Sequence, residues 1–371
     1  MTGKDRMKQR PFARPRARAL MKSLWAGALR VTGVLALARN WVRREGTVVL
    51  TFHRVLSDQE LTQTGSLPGM IVRSETFDSF LEYAARELEI MDLAHSPQWA
   101  PGPRLKIAVT FDDGWCDNAS GAFPIAAKHR APITVFIVPQ RTGSVLPFWP
   151  ERAAAVIGRG PANQSPEHQT YIEQVIERLK VLNATERNQV MERIRHGDTA
   201  GSAAIDRTMN WEQIRELRNG GVVFGSHTST HEILTGIPAE QAEQEITASR
   251  KLIEGQLGAA CELFSYPNGN HSGEICRQVA RAGYKYAFLN QTPGVWTRDC
   301  DPYKVPRVNV CEFHLVDARG NFSPLIFDYA VVWSAAKGHL LKRLSSYVNK
   351  VRATGQHKYR HDALKAHGGE P

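Results

Sequence analysis

The sequence predicts an α/β fold built on a parallel sheet or barrel, and three observations lead there. Short β-branched runs alternate with helical stretches of about 10–20 residues, the pattern of right-handed βαβ units. The acid and histidine clusters fall at the carboxyl ends of the predicted strands, where such folds collect functional groups. The composition, 42% hydrophobic and 23% charged over 371 residues, is that of a globular chain and excludes a wholly disordered or collagen-like one.

Residues 47–52 (TVVLTF) form the first predicted strand. Ser74 caps a helix running to about Glu89, with Phe77, Phe80, Leu81, Ala84 and Leu88 on one face. Residues 106–111 (KIAVTF) are a second strand, entering Asp112-Asp113-Gly114, and a helix near 119–129 and a strand at 133–138 follow. Residues 143–209 break the rhythm with Phe148-Trp149-Pro150, a Gly/Pro-rich stretch at 158–166 and a helical stretch near 171–194, and they read as a helical insertion. Alternation resumes with a helix at 211–217, a strand at 222–226, a helix at 238–257, a strand at 263–266, a helix at 273–282 and strands at 284–289 and 305–310. No internal repeat is evident. The chain thus divides into a basic arm and amphipathic helix (1–45), a barrel (46–336) and a basic tail (337–371).

The net charge of +10 is concentrated at the ends. Residues 1–44 carry twelve Lys and Arg against one acid, residues 337–371 carry eight against two, and the 292 residues between hold −7. A nucleic-acid-binding core is therefore not expected. Leu20, Leu24, Val31, Leu35 and Val42 fall within about 60° on a helical wheel, an apolar stripe suited either to the body of the protein or to an anionic membrane interface. The longest uncharged run there, residues 31–38, is too short to span a bilayer. Five cysteines without a CxxC pair point to reduced thiols and so to a cytoplasmic location; the basic ends and the apolar stripe add peripheral contact with an anionic membrane as one reading, and Ala36-Leu37-Ala38 leaves a secretory cleavage site open.

Asp112-Asp113 follows one buried run, and His227-Thr228-Ser229-Thr230-His231 follows another. Histidines at i and i+4 converge if one helical turn separates them. One Asp with two His makes a three-ligand site for a divalent cation with an open fourth position, as in catalytic rather than structural sites. The mixed N/O donor set suits Zn²⁺, Co²⁺, Ni²⁺ or Fe²⁺.

TFDDG, then HTSTH about 115 residues later, then Phe264-Ser265-Tyr266-Pro267-Asn268-Gly269, resembles the polysaccharide deacetylase family, the NodB-homology group or carbohydrate esterase family 4. The resemblance covers roughly residues 46–310 and implies a distorted (β/α) barrel of the NodB-homology type, here with a helical insertion and basic terminal extensions. It implies a metal-dependent N-deacetylase of a polysaccharide or lipid-linked saccharide, with zinc as the first candidate and acetyl or formyl as the group removed. By position, Asp112 is the general base, Asp113, His227 and His231 are metal ligands, and Tyr266, Pro267, Asn268 and Gly269 border the substrate. A backbone N–H near Asn268 would stabilise the oxyanion. Three departures stand out: Ser265 replaces the arginine that orients the base, Asn268 replaces an aromatic, and residues 289–291 lack the late histidine. Arg307 is the candidate substitute for the arginine and is grouped with the substrate-binding residues. His53, in Thr51-Phe52-His53-Arg54-Val55, resembles the N-terminal histidine of a circularly permuted branch and is the candidate acid. Trp149, Trp211 and Trp296 are candidate sugar-facing aromatics. The competing reading is a catalytically inactive saccharide-binding module on the same fold.

Overall fold

A computed structural model describes residues 16–95, 101–157, 166–195, 205–290, 292–341 and 343–344. The arm before residue 16, most of the Gly/Pro-rich stretch and the tail beyond 344 lie outside the described residues. In chain order the strands are β1 (Gly46–Phe52), β2 (Arg54–Leu56), β3 (Ile71–Arg73), β4 (Leu88–Ile90), β5 (Leu105–Phe111), β6 (Ile133–Ile137), β7 (Val223–Ser226), β8 (Leu263–Ser265), β9 (Tyr286–Phe288), β10 (Trp296–Thr297) and β11 (Arg307–Asn309). The helices are α1 (Arg16–Val31), α2 (Val34–Glu45), α3 (Asp58–Leu61), α4 (Ser74–Glu87), α5 (Phe123–Lys128), α6 (Trp149–Ile157), α7 (Pro166–Lys180), α8 (Ala184–Arg195), α9 (Trp211–Asn219), α10 (Ala239–Leu257), α11 (Gly273–Arg281) and α12 (Pro324–Phe327).

One sheet runs β10-β1-β5-β6-β7-β8-β9, with β11 also on β1 and β4 also on β5; β2 and β3 pair separately. Every pairing is parallel except β10 with β1. A parallel bridge from Phe288 to Val305 carries β9 round toward β11, so the sheet curls as the distorted (β/α) barrel expected of the sequence requires. β1 and β5 are buried along their whole length, which is why they read as unbroken β-branched runs rather than alternating ones. Phe52 and Phe111 pack with Phe77 and Phe80 of α4 at ring separations of 5.4–5.9 Å, the aromatic centre of the core.

Several local expectations need correction. Ser74 is the first residue of α4 rather than its cap; the Arg73 N–H is taken by Glu312 Oε2 at 2.9 Å. The 119–129 helix opens with a wide turn over 118–122 before α5, because Pro124 has no N–H for a regular helical bond. The 171–194 stretch is two helices, α7 and α8, the second capped reciprocally by Asn183 and Glu186. The single stripe over 20–42 is two helices bent by 76° at Gly33, whose φ of 77° only glycine adopts freely. Leu35, Ala38 and Val42 of α2 are buried against the body, and Ala36-Leu37-Ala38 lies inside α2. α2 is therefore packed on the barrel, with its Arg39 paired to Asp328 at 2.5 Å, while α1, among its described residues, turns only Lys22 and Ala26 to buried positions.

Candidate active site

The parallel register brings the polar motifs to one edge of the sheet. Phe52 pairs with Phe111, and the Asp112 N–H donates to Phe52 O at 3.0 Å, so His53 and Asp112 leave adjacent strands side by side. The His227 N–H donates to Ile137 O at 2.8 Å and the Tyr266 N–H to Phe288 O at 3.1 Å, bringing the remaining motifs to that edge.

Asp113, His227 and His231 offer one donor atom each within 4.8 Å of one another, the one such group among the described residues. Asp113 Oδ1 lies 3.6 Å from His227 Nε2 and 3.3 Å from His231 Nε2, while its other oxygen accepts the Trp115 indole N–H at 3.0 Å. His227 Nδ1 meets Ser265 O at 2.8 Å; as the donor there it leaves Nε2 a lone pair aimed at the site. Burial pushes His227 down to about 4, His231 adding to this while Asp112 and Asp113 oppose it, so the imidazole is neutral at neutral pH. Burial alone would raise Asp113, but the hydrogen bond and charge of His231, then His53 and His227, hold it well below the usual carboxylate range. A neutral imidazole and an ionised carboxylate, buried together with converging lone pairs, fit a divalent cation.

The histidines do not converge through a helical turn. Residues 227–231 are a loop with left-handed backbone at Thr228 (φ 63°) and His231 (φ 74°), and Asp113 is left-handed too (φ 75°). These are strained conformations for residues with a Cβ, here held by the surroundings. Thr228 Oγ1 accepts the His231 N–H at 3.0 Å. Glu245, buried on α10, accepts the Ser229 and Thr230 N–H groups at 2.8 and 2.9 Å and the Thr230 hydroxyl at 2.7 Å.

Arg307 supplies the arginine that the third motif lacks. From the edge of β11 it holds Asp112 through two bonds, Nη1 to Oδ1 at 2.9 Å and Nη2 to Oδ2 at 2.7 Å, while its Nε donates to Leu289 O at 2.6 Å. The small Ser265 leaves room for it and accepts from Nη2 at 2.7 Å. Burial would raise the Asp112 carboxyl, but Arg307, then His227, keeps it below its ordinary value. Fully buried, Arg307 orients the carboxylate and does not face substrate, which corrects its grouping. Tyr266 and Pro267 are corrected likewise: both are buried, and the Tyr266 hydroxyl donates to Tyr303 O at 3.0 Å. Asn268 (φ 57°) and Gly269 (φ 79°) turn the chain at the rim, with Gly269 so close to Asn290 that a Cβ would sit 2.6 Å from its carbonyl oxygen. Among the described residues the Asn268 N–H has no hydrogen-bond acceptor. His53 is buried, with Nδ1 unpaired, and close enough to both carboxylates to lower them.

Trp296 is a core residue against Tyr286 and Phe288, Trp149 lies beneath Arg187 in the insertion, and Trp211 packs on the main core. The ring at the site is instead Phe148, 4.7 Å from His231 and 5.2 Å from Trp115 between centroids. Sequence reasoning missed Trp115, Phe148 as a site residue, Glu245 and Arg54. Trp115 was within reach, two residues after Asp113; Glu245 carries no local signal, since it meets the loop only through the packing of α10.

A family model described as polysaccharide deacetylase matches residues 100–287, about half of the chain. The chain belongs to the polysaccharide deacetylase family. It is 22% identical over 204 residues to YxkH of Bacillus subtilis (strain 168), a protein that carries the name of the same family, covering 55% of this chain and 51% of that one. The chain thus spans about half the length of this curated relative. Among solved structures, BC0361, a polysaccharide deacetylase from Bacillus cereus, aligns with a TM-score of 0.50 at 16% identity, covering 74% of this chain and 67% of that one. IcaB from Ammonifex degensii aligns at 0.47 and 19% identity, over 78% and 97% of the two chains. At these identities the likeness of BC0361 is one of fold, and the site rests on its own geometry.

Proposed function

We propose that this family member is a metal-dependent hydrolase that removes N-acetyl or another N-acyl group from a polysaccharide or lipid-linked saccharide. The observation that carries the reading is the Arg307-held carboxylate of Asp112 beside the Asp113–His227–His231 donor set. With its arginine replaced from β11, the site regains the base partner whose absence motivated the binding-module alternative.

On this reading Asp113, His227 and His231 hold a divalent cation, zinc before cobalt, nickel or iron. When bound, such an ion supplies Lewis acidity, polarising the amide carbonyl and easing the ionisation of water. Asp112 takes the proton of the attacking water; Arg307 occupies one lone pair on each oxygen and the single proton of the Ser265 hydroxyl, 3.4 Å from both, can occupy one more, which leaves a lone pair free on the other oxygen. The Asn268 N–H is the donor for the developing oxyanion. His53, on the neighbouring strand end, gives a proton to the nitrogen as the C–N bond breaks, so the amine leaves neutral.

The test is metal content together with acetate or formate release from N-acylated oligosaccharides. Asp112→Asn should retain metal and lose about 10²–10⁴-fold in turnover. His53→Ala should lower kcat with metal retained, and His231→Ala should lose metal. Unchanged turnover in Asp112→Asn would overturn the assignment of the base, and metal retention without release from any N-acylated saccharide would favour the binding module.

A further inference from the structure

α1 is packed the wrong way round for water. Its inward side carries Lys22 and Ala26, both buried. The Lys22 ammonium donates to Phe313 O at 2.5 Å and Val316 O at 2.8 Å and sits 3.8 Å from the centre of the Phe313 ring. Its outward side carries Leu20, Met21, Leu24, Trp25 and Val31, each more than half exposed. At 100° per residue these five fall on one arc, opposite Lys22 and Ala26. A helix against water alone would be rotated the other way, with the leucines inward and the lysine out. The Lys22 bonds to two carbonyls fix the rotation that is seen.

The rest of the terminal structure agrees. The bend at Gly33 separates α1 from α2, whose Leu35, Ala38 and Val42 are committed to the body. No single helix among the described residues is long and apolar enough to cross a membrane; α1 and α2 reach that length only as a pair bent by 76°, and the buried Leu35, Ala38 and Val42 commit α2 to the body, which leaves α1 to lie on a bilayer. A helix over 334–341 is tied to α2 by the Trp41–His339 ring contact at 5.3 Å and exposes Leu340 and Leu341. Both termini are strongly basic, +11 over residues 1–44 and +6 over 337–371, against −7 for the body between.

We propose that the outward face of α1 docks in the plane of an anionic phospholipid surface, its leucines and Trp25 entering the headgroup boundary while the basic ends supply the attraction to the lipid charge. The charge complementarity favours lipid over a second copy of this chain, whose equally basic ends would repel it. The proposal does not depend on the catalytic reading.

The full chain is sedimented with vesicles of phosphatidylcholine and phosphatidylglycerol. Binding is expected to fall at least about tenfold on pure phosphatidylcholine, in high salt, and in the double variant Leu24→Glu, Trp25→Glu. Brominated lipid should quench tryptophan fluorescence, and Trp25→Phe should lose most of that quenching. Asp112→Asn should bind as the parent does, which separates this proposal from the catalytic one. Equal binding by the double variant with its melting temperature unchanged would overturn the proposal. So would absence of vesicle binding by the parent chain, or a lipid-independent dimer that the double variant dissociates.

Discussion

At the residue scale, the site turns on a substitution distributed over two strands. The third motif has Ser265 where an arginine is usual, and Arg307 reaches the same carboxylate from β11 with two bonds. Removing it leaves Asp112 buried without its counter-charge, so the carboxyl rises. We expect Arg307→Met to retain metal, to lose about 10²-fold or more in kcat/KM, and to move the acid limb of the pH–rate profile upward; an unmoved limb would argue that the pair is only structural. Glu151, buried at the start of α6 with Oε2 unpaired, is a second such residue. Burial, then Asp113, raises it from 4.5 to about 8. The stability of the neutral acid is present below pH 4.5 and is lost as pH rises toward about 8, because only the unfolded chain ionises readily in that window. Glu151→Gln stays neutral throughout. Its melting temperature in the metal-free protein should therefore gain on the parent between about pH 5 and pH 8, by an amount equivalent to a few kcal/mol.

At the element scale, the HTSTH segment shows why spacing alone misleads. Five residues could bring two imidazoles together through a helical turn, but the chain does it with left-handed residues at Thr228 and His231. The loop holds that shape because Glu245 of α10 takes two of its N–H groups and one hydroxyl. Glu245→Ala should leave the barrel folded yet weaken metal binding by about 10–100-fold, the usual scale for a residue that positions a ligand from behind. Calorimetric titration with Zn²⁺ checks this, and unchanged affinity would mean that the loop is self-supporting. The strands were legible as β-branched runs and the motifs as their carboxyl-end clusters. Glu245 was not, because nothing in its own neighbourhood marks a polar group whose partners lie on another element.

At the scale of the whole molecule, the insertion is locked to the barrel by buried charge. Arg54, fully buried, donates from Nε to Asp117 at 2.8 Å, pairs with Asp206 beyond the insertion helices, donates from Nη2 to Ile205 O at 2.9 Å and lies 4.6 Å from the Trp115 ring centre. Arg54→Met would strand two buried carboxylates. We expect a loss of about 3–5 kcal/mol in chemical denaturation, with protease sensitivity appearing first around residues 143–209. The sequence by itself determined the α/β class, the family, the carboxyl-end placement of Asp112, Asp113, His227 and His231, and the basic character of both ends. Those properties are written in short-range hydrophobic period, motif spacing and local composition. Only the tertiary structure decided that Arg307 serves Asp112, that Tyr266 and Trp296 belong to the core, and that the 20–42 stripe divides, with α2 facing protein and α1 facing outward. Each of those depends on which side chain meets which across strands far apart in the chain, and that is set by sheet register and helix rotation.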